Sequence, residues 1–557
     1  MNKRWNIPTA DEQNVTMLKT ALRLAPALCR TLVARGINTV DEATRFLNAD
    51  LSHLYDPFLM RDMDKAVVRL QDAITLGERV LIYGDYDADG ICGTTLLFEG
   101  LERLGANASY YVPDRLAEGY GLNKQRVRWA HEFGTKLIVC VDNGIGSYDE
   151  IQLARELGVD VIVADHHEPS ADVLPPATAV LDPKRHDQTY PFRELSGVGV
   201  ALKLYQALTN ETAGLDLVAL GTVADVVPLL DENRILVRAG LDEINSRRRA
   251  GIAELIAVSG LGEGSLNTWN LAFQLAPRIN AAGRLGTAHM GVQLLLTNSA
   301  QAASEMAKTL DSDNTARRAI EQEILQQADA ILSRSFTASQ RAIVLADRNW
   351  HPGVIGVAAS RLVEHYYRPT ALIALTGTTG KGSARSIQGF DIHAALESCS
   401  DLLESFGGHR LAAGFMIKEE LIEQLRNRLN QLATERIPQE KLMPELKIDA
   451  VVRLDEITEA LLAQLDKFKP FGAGNPRPVF ACEGVEQVGT IDVFKDSHIK
   501  FRVRQNDVWR AVVGFDMADL QPLIKTRKRF DIAFTPQLNR WQDKEQTQLI
   551  LEDVRVA

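Results

Sequence analysis

The stretch Val80-Leu-Ile-Tyr-Gly-Asp-Tyr-Asp-Ala-Asp-Gly90 decides the fold of the region around it. It opens with an apolar run, residues 80–82, which predicts a buried strand. Asp85, Asp87 and Asp89 follow at alternate positions. Three carboxylates this close repel one another unless a cation lies among them. Open α/β sheets bind ligands at the carboxyl edge of their parallel strands, so three carboxylates at this edge predict a metal site. The alternative is a solvated acidic turn.

The same pattern of an apolar run followed by acidic residues recurs downstream. Residues 136–141 precede Asp142, and residues 159–164 precede the triplet Asp165-His166-His167. The apolar residues 217–224 precede Asp225, which we expect to be one more strand end. Imidazole together with carboxylates suits Mn, Zn or Fe, whereas carboxylate-rich sites suit Mg and Mn. An EF-hand calcium loop is excluded, because its twelfth position must be Glu and is Leu96 here.

Seven motifs together resemble the DHH phosphoesterase superfamily, which is named after the Asp-His-His triplet. They are Asp85-Tyr-Asp-Ala-Asp-Gly90, Val141-Asp-Asn-Gly-Ile145, Asp165-His-His167, Ser196-Gly-Val-Gly-Val200, Gly221-Thr-Val-Ala-Asp-Val226, Pro277-Arg-Ile-Asn-Ala-Ala-Gly-Arg284 and Gly407-Gly-His-Arg-Leu-Ala-Ala-Gly414. Their order and spacing agree with the superfamily over residues 65–557. Within it, the chain looks like the bacterial exonucleases that are specific for single-stranded DNA.

The resemblance implies phosphodiester hydrolysis with two divalent metal ions, Mn²⁺ or Mg²⁺. The implied catalytic residues are Asp85, Asp87, Asp89, Asp142, His166, His167 and Asp225. Asp142 corresponds to a ligand that bridges both metals, and His167 to a phosphate contact; the remaining five residues are metal ligands. Because Tyr83 stands where some members have a His ligand, the division of Asp85 and Asp87 between the two metals stays open.

The resemblance also implies substrate-binding residues. They are Arg115, Arg278, Asn280, Arg284, Ser383, Arg385, Gly407, Gly408 and His409. We expect Arg278 and Arg284 to flank a glycine-bearing loop, and Gly407 and Gly408 to form a turn. Arginine suits bidentate phosphate contacts. In such enzymes the positions matching Arg115, Ser383 and Arg385 recognise a 5′ phosphate, which implies degradation from 5′ to 3′.

Pattern changes along the chain predict an α/β multidomain protein with five segments. They are an N-terminal helical segment (1–65), a DHH domain with a parallel sheet (66–235), a helical linker ending in a long connecting helix (236–339), a DHH-associated α/β domain (340–440) and an OB-like β-barrel (445–557). Candidate single-strand contacts on the barrel are Lys500, Arg502, Arg504, Trp509, Arg510, Arg540 and Trp541. The alternative for the aromatic residues is core packing.

Bulk composition narrows the class of protein. The 557 residues are 45% apolar and 24% charged, as in ordinary globular chains of several domains. A net charge of −11 argues against a general nucleic-acid coat but permits a narrow basic groove. Five widely spaced cysteines form no zinc pattern and indicate a reducing compartment. With no secretory signal and no apolar run of about eighteen residues, we expect a cytoplasmic protein without a membrane span.

The expected function is a single-stranded-DNA-specific 5′-to-3′ exonuclease of DNA repair and recombination. Two alternatives stay open: a phosphoesterase of the same superfamily that acts on small nucleotides or short RNA, and an inactive binding protein. The C-terminal barrel disfavours the first, and the intact acidic positions disfavour the second. Family resemblance implies single-strand-binding protein and a RecQ-type helicase as partners, and we expect a monomer.

Overall fold

The computed structural model describes residues 3–114, 118–169, 173–285, 288–337, 339–541 and 544–556. The N-terminal segment begins with a short strand, and α-helices follow it. They are β1 (Arg4–Asn6), α1 (Glu12–Leu22), α2 (Pro26–Ala34) and α3 (Val40–Asn48). Thr39 and Glu42 form a capping box at the start of α3, so the sequence itself specifies where this helix begins.

The first α/β domain is built on a five-stranded, fully parallel sheet. Its elements are α4 (Met63–Thr75), β2 (Arg79–Tyr83), α5 (Ala88–Arg103), β3 (Asn107–Tyr111), α6 (Lys124–Glu132), β4 (Thr135–Val141), α7 (Tyr148–Glu156), β5 (Asp160–Ala164), β6 (Ala179–Leu181) and α8 (Gly197–Thr209). The strand order is β3-β2-β4-β5-β6. In β4 every residue except Lys136 is buried, which explains the continuous apolar run. The predicted parallel sheet is confirmed.

A helical region follows. Its elements are α9 (Leu215–Ala224), α10 (Asp231–Ser246), α11 (Ala250–Val258), α12 (Thr268–Asn270), α13 (Ala276–Leu285), α14 (Ala288–Leu296) and α15 (Ala300–Ser335). A π-helical turn, Leu271–Leu275, joins α12 to α13. The predicted long helix is confirmed, because α15 runs for 36 residues.

Two local predictions in this region were wrong. Asp225 follows the helix α9 and not a strand; an apolar segment buried on all sides has no periodicity that separates a helix from a strand. Residues 276–285 form α13 and not a loop. Gly283 is needed there for close packing, because a Cβ atom at this position would lie 2.5 Å from the Tyr86 carbonyl oxygen.

The second α/β domain has a mixed sheet of order β10-β11-β9-β8-β7. Its elements are β7 (Ile343–Asp347), α16 (Ile355–Tyr366), β8 (Thr370–Thr376), β9 (Thr379–Arg385), α17 (Ile392–Glu397), β10 (Leu403–His409), β11 (Ala412–Lys418) and α18 (Ile422–Arg436). The predicted turn at Gly407 and Gly408 is instead the end of strand β10. Gly408 has a φ of +139°, and a Cβ there would lie 2.5 Å from the Ala412 carbonyl oxygen, so both its backbone and its space require glycine.

The C-terminal region is a small closed barrel, as predicted. Its elements are β12 (Glu445–Lys447), β13 (Ala450–Val451), α19 (Glu459–Leu465), β14 (Phe480–Phe494), β15 (His498–Gln505), β16 (Val508–Gly514), α20 (Gln521–Thr526), β17 (Phe530–Trp541) and β18 (Lys544–Arg555). The order β14-β15-β16-β18-β17 closes through pairing of β14 with β17. Ile499, Phe501 and Val503 point into the core, so the alternate residues of β15 face outward.

The chain forms two compact units. One contains Met1–Tyr55, Val226–Ala239 and Pro444–Ala557, and the other contains Asp56–Asp225 and Gly240–Met443. In the first unit the N-terminal helices share one apolar core with the barrel, through residues such as Leu28, Phe46 and Phe468. No helix in the described ranges combines the length and apolar content needed to cross a bilayer. The division into five segments stays a prediction.

Candidate metal centre

The acidic and histidine residues follow adjacent strands at one edge of the first sheet. Strand β2 precedes Asp85, β4 precedes Asp142, and β5 precedes His166. These three strands are parallel neighbours, so their carboxyl ends meet. Helix α9 brings Asp225 to the same place from outside the sheet, since Asp225 is its C-terminal cap residue.

Three overlapping groups of side chains could each hold a metal ion. They are Asp85 with Asp87 and Asp142, Asp89 with His166 and Asp225, and Asp142 with His166 and His167. Within each group the candidate ligand atoms all lie within 4.8 Å of one another. Asp142 and His166 each belong to two groups, so the arrangement can accommodate two neighbouring cations that share a carboxylate.

The acidic loop is held by the start of helix α5. Asp87 Oδ1 accepts hydrogen bonds from the backbone N–H groups of Asp89 (3.0 Å) and Gly90 (3.1 Å), which makes Asp87 the N-cap. Asn280 Oδ1 accepts a hydrogen bond from the backbone N–H of Ala88 at 2.8 Å. A Cβ at Gly90 would lie 2.7 Å from the Asp85 backbone, so only glycine permits this tight turn.

Asp89 and Asp142 both lie against the N-terminus of helix α8. Asp89 accepts hydrogen bonds from the N–H groups of Gly197 (2.7 Å) and Val198 (3.0 Å), where the helix dipole favours a carboxylate. Asp142 has a φ of +62°, a left-handed conformation that Asp and Asn adopt more readily than most residues. A Cβ at Gly197 would lie 2.5 Å from Asp142 Oδ1, so glycine makes room for the carboxylate.

The electrostatics of the cluster fit a divalent cation. Burial, with the charge of Asp87, raises the pKa of Asp89 to about 7. Burial and the charge of Asp89 raise the pKa values of Asp142 and Asp225 far above the ordinary value. Burial lowers the pKa of His166 to about 3, so its imidazole is neutral and offers a lone pair. The charges of His167 and Lys184 only partly offset these rises, and bound cations would supply the remaining positive charge.

The donor atoms themselves support this fit. His166 Nε2 lies 3.1 Å from Asp142 Oδ1, yet neither atom has a hydrogen-bond partner within the described part of the chain. Buried polar atoms that lack hydrogen-bond partners are unfavourable. A metal ion between them would satisfy both, and neutral imidazole with carboxylates is a donor set that Mn²⁺ accepts.

His167 differs from His166 in its charge. Its Nδ1 lies 2.7 Å from Asp165 Oδ1 and 3.1 Å from the Tyr120 hydroxyl oxygen. Burial alone would lower the pKa of His167, but the charge and hydrogen bond of Asp165 raise it to about 9. The imidazole is therefore cationic at neutral pH. The His409 ring stacks against it with centroids 6.0 Å apart, which brings the second α/β domain to the site.

Three domain families match this chain. The DHH family N-terminal domain matches residues 79–222, the DHHA1 domain matches residues 339–435, and the RecJ OB domain matches residues 448–553. The chain is 40% identical over 560 residues to the single-stranded-DNA-specific exonuclease RecJ of Bacillus subtilis, an alignment that covers 100% of this chain and 71% of that relative. It is 38% identical over 484 residues to RecJ of Escherichia coli, covering 82% of this chain and 83% of the relative.

This chain belongs to the RecJ family. Solved structures agree: RecJ from Thermus thermophilus in complex with Mn²⁺ matches with a TM-score of 0.86 at 30% identity, covering 100% of this chain and 80% of that chain. The Mg²⁺ complex of the same protein matches with a TM-score of 0.79 at 28% identity, over 100% of this chain and 78% of that one. The superfamily resemblance inferred from the seven motifs is confirmed.

In this RecJ-family chain, two predicted substrate residues of the second α/β domain contact each other. Arg385 Nη1 donates a hydrogen bond to Ser383 Oγ at 3.0 Å. A Cβ at Gly356 would lie 2.9 Å from both Ser383 Oγ and Arg385 Nη2, so the first turn of α16 lies against them. A hydroxyl, a guanidinium and a helix N-terminus together form a suitable anion site.

The other predicted substrate residues have different surroundings. Arg278 forms an ion pair with Asp311 at 2.8 Å on α15. Asn280 supports the acidic loop, and Arg284 Nη1 donates to the Gly353 carbonyl oxygen at 3.3 Å. Arg115 lies outside the described residues. The substrate-binding roles of all these residues stay predictions.

Sequence reasoning missed Tyr120. Its hydroxyl donates to the Asp142 carbonyl oxygen at 3.1 Å and contacts His167 as described above. Although Tyr120 as a residue is 52% exposed, its hydroxyl lies inside the site, where burial and the charge of Asp165 raise its pKa well above the ordinary value. The available signal was its position between Gly119 and Gly121, which both have a positive φ and therefore place the tyrosine in a sharply turned loop.

Proposed function

We propose that this protein degrades single-stranded DNA from the 5′ end and releases mononucleotides by hydrolysis with two divalent cations, Mn²⁺ or Mg²⁺. The observation that carries the proposal is the convergence of three ligand groups, each within 4.8 Å, at one sheet edge. The relatives that are named single-stranded-DNA-specific exonucleases support the choice of substrate.

The ligand groups support a specific division of the metal shells. Asp142 would be shared by the two cations, because it groups with Asp85 and Asp87 and its Oδ1 lies 3.1 Å from His166 Nε2. Asp89, His166 and Asp225 would hold one cation. Asp85 and Asp87 would hold the other, with Asp87 offering the oxygen that does not cap α5.

The residues of the chain then have distinct tasks in hydrolysis. When bound, two such cations activate a water molecule and neutralise charge on the reacting oxygens. His167, which is cationic with a pKa of about 9, donates a hydrogen bond to the phosphate and stabilises the charge that develops on it. Asp165 and Tyr120 hold His167 Nδ1, so that Nε2 is the atom available to the substrate.

The anion site of Ser383, Arg385 and the α16 N-terminus binds the terminal 5′ phosphate. It lies in the same compact unit as the metal centre, and His409 of the same sheet stacks on His167. Binding of a terminal phosphate there orders the strand end next to the metals, which favours removal of the 5′ nucleotide. Arg115 is part of this proposal on the family resemblance alone.

The barrel supplies additional affinity for the single strand. Lys500, Arg502 and Arg504 are exposed along one side of β15, and the Arg502 guanidinium stacks over the half-exposed Trp509 ring at 4.8 Å. Cationic residues beside an exposed aromatic ring are typical of single-strand binding. Arg510 donates to the Ile457 carbonyl oxygen and is therefore less available to bind a DNA strand. The side chains of Arg540 and Trp541 lie outside the described part of the chain.

We also propose that the protein works in a reducing compartment. All five cysteines are buried free thiols, which supports a reducing compartment such as the cytoplasm. Single-strand-binding protein and a RecQ-type helicase remain proposed partners on family resemblance, and the monomer remains the proposed state. Pull-down of purified proteins and light scattering test these two points.

A direct assay tests the activity. The protein is incubated with single strands labelled at either end, with duplexes and with dinucleotides, in Mn²⁺, Mg²⁺ or EDTA. We expect mononucleotides from the 5′ end of single strands, with little duplex cleavage and no product in EDTA. Degradation from the 3′ end would contradict the polarity. Cleavage of dinucleotides alone would instead identify a small-nucleotide phosphoesterase.

A further inference from the structure

Lys184 follows strand β6, where the sequence analysis did not place a functional residue. Strands β5 and β6 pair in parallel with Ala164 opposite Leu181, and the Asp165 N–H donates to the Leu181 carbonyl oxygen at 3.0 Å. The residues that follow β6 therefore run along the same sheet edge as the Asp165-His166-His167 triplet.

The backbone of Lys184 is held rigidly. Its N–H donates to Asp182 Oδ1 at 2.7 Å, and its carbonyl oxygen accepts a hydrogen bond from Arg193 Nη2 at 2.8 Å. The next residue, Arg185, is buried and forms ion pairs with Asp62 at 2.7 Å and Asp187 at 2.6 Å. Such a backbone presents its side chain from a defined position.

The ammonium group of Lys184 is available within the part of the chain that the structure describes. Among the described residues no ion pair or side-chain hydrogen bond involves it, and the side chain is half-buried. The neighbouring Arg185, in contrast, directs its guanidinium to Asp62 and Asp187. A half-buried cation without a carboxylate partner is available for an anionic ligand.

The charge of Lys184 reaches three elements of the site. Burial is the main cause that lowers the pKa of His166 and of His409, and the Lys184 charge lowers both further. Burial raises the pKa of Asp225, and the same charge acts against that rise. Because β6 pairs with β5, the residues that follow β6 bring this charge within electrostatic range of the residues that follow β5.

We propose that the Lys184 ammonium binds a non-bridging oxygen of the phosphate that is cleaved. It would then act with His167 on the same phosphate, from the β6 side of the site. This inference rests on the proposed phosphodiester hydrolysis. It competes with a purely electrostatic role, in which Lys184 only balances the carboxylates of the metal shells.

Neutral variants of Lys184 test the contact. In Lys184→Met we expect kcat/KM on a 5′-phosphorylated single strand to fall roughly tenfold to a hundredfold, the effect of losing one hydrogen bond to a charged group. Competitive inhibition by a 5′ deoxymononucleotide should weaken by a similar factor. Lys184→Arg should restore part of kcat/KM and part of the inhibition by the mononucleotide. Lys136→Met is the matched control, because Lys136 is exposed at the amino end of β4 and its loss changes net charge equally.

Metal titration separates the contact from the electrostatic role. Calorimetry with Mn²⁺ alone should give an affinity in Lys184→Met that is equal to or tighter than that of the unchanged protein. Weaker Mn²⁺ binding, or unchanged kcat/KM and nucleotide inhibition, would overturn the inference. Lys184→Gln replaces the Met variant if that variant does not fold. Absence of nuclease activity in the unchanged protein would instead refute the proposed function.

Discussion

Replacing Asp142 by Asn should stabilise the metal-free protein while removing its response to metal. Asn is the right probe because Asp142 has a φ of +62°, which Asn tolerates and Ala does not favour. The amide is also nearly isosteric with the carboxylate, so it fits the space beside Gly197. The substitution therefore changes the charge of the bridging position and little else.

The expected size of the effect follows from the geometry. Candidate ligand atoms of Asp85, Asp87 and Asp142 lie within 4.8 Å of one another. At that distance two carboxylates repel by roughly 3 kcal/mol at an effective dielectric constant of about 20. Retained protons relieve part of this repulsion, so we expect the free energy of unfolding in EDTA to rise by about 1–3 kcal/mol in Asp142→Asn. Mn²⁺ at about 100 times Kd should stabilise the unchanged protein by about 2.7 kcal/mol and the variant far less.

The pH dependence has a definite sign. Burial raises the pKa of Asp142 well above 3.8 in the folded protein. A carboxyl with a raised pKa costs stability once the pH exceeds its unfolded value, because the folded state then binds more protons than the unfolded state. The advantage of Asp142→Asn in EDTA should therefore be absent below pH 3.8 and grow as the pH rises.

Thermal unfolding in EDTA and in Mn²⁺ measures both effects, with single-strand hydrolysis as the activity readout. The expected pattern is a higher Tm than the unchanged protein in EDTA, a lower Tm in Mn²⁺, and no turnover. The assignment of the Asp142 carboxylate to a metal site would be refuted by either of two results. One is a Tm in EDTA below that of the unchanged protein, and the other is a rise in Tm on adding Mn²⁺ as large as that of the unchanged protein.

Three further predictions concern the rest of the chain. Arg385→Ala should lower the rate of cleavage of 5′-phosphorylated strands and narrow the difference between that rate and the rate on 5′-hydroxyl strands. The control is Arg348→Ala, which changes an exposed residue of the same domain and should leave both rates unchanged. An unchanged preference for 5′-phosphorylated strands in Arg385→Ala would contradict the proposed phosphate site. Trp509→Ala should weaken the binding of long single strands roughly fivefold to a hundredfold but leave dinucleotide cleavage unchanged. Fluorescence anisotropy measures the binding, and product analysis measures the cleavage. If the variant bound long strands as tightly as the unchanged protein, the barrel surface around Trp509 would not be a single-strand binding site. Arg234→Met should lower the free energy of unfolding by more than about 3 kcal/mol, because the buried Arg234 guanidinium donates to the carbonyl oxygens of Phe46 and Phe468 at 2.8 Å. An unchanged Tm would show that Arg234 does not stabilise the fold.

The structure also changes how the barrel is best tested. A deletion from residue 445 onward would remove the barrel's part of the core that the N-terminal helices share with it. The exposed apolar surface of residues such as Leu28 and Phe46 would then confound any loss of binding. Point variants on the outer side of β15 and β16 avoid this problem.

The sequence by itself determined the parts of the site that depend on local order. The carboxyl end of a buried parallel strand lies at a known edge of its sheet, so runs such as residues 80–82 and 136–141 located Asp85 and Asp142 without coordinates. The long helix and the barrel strands were equally visible, because each has a period or a length that only one secondary structure satisfies.

Tertiary structure alone decided the contacts between segments that are distant in the chain. Only the folded chain shows that Asp225 caps a helix and that Asn280 accepts a hydrogen bond from Ala88 in the acidic segment 85–89. It also shows that the His409 ring stacks on His167. It also placed the end of β6, which precedes Lys184, next to the end of β5. The physical reason is that burial on all sides erases periodicity, and that a pairwise contact between segments far apart in the chain leaves no trace in local propensity.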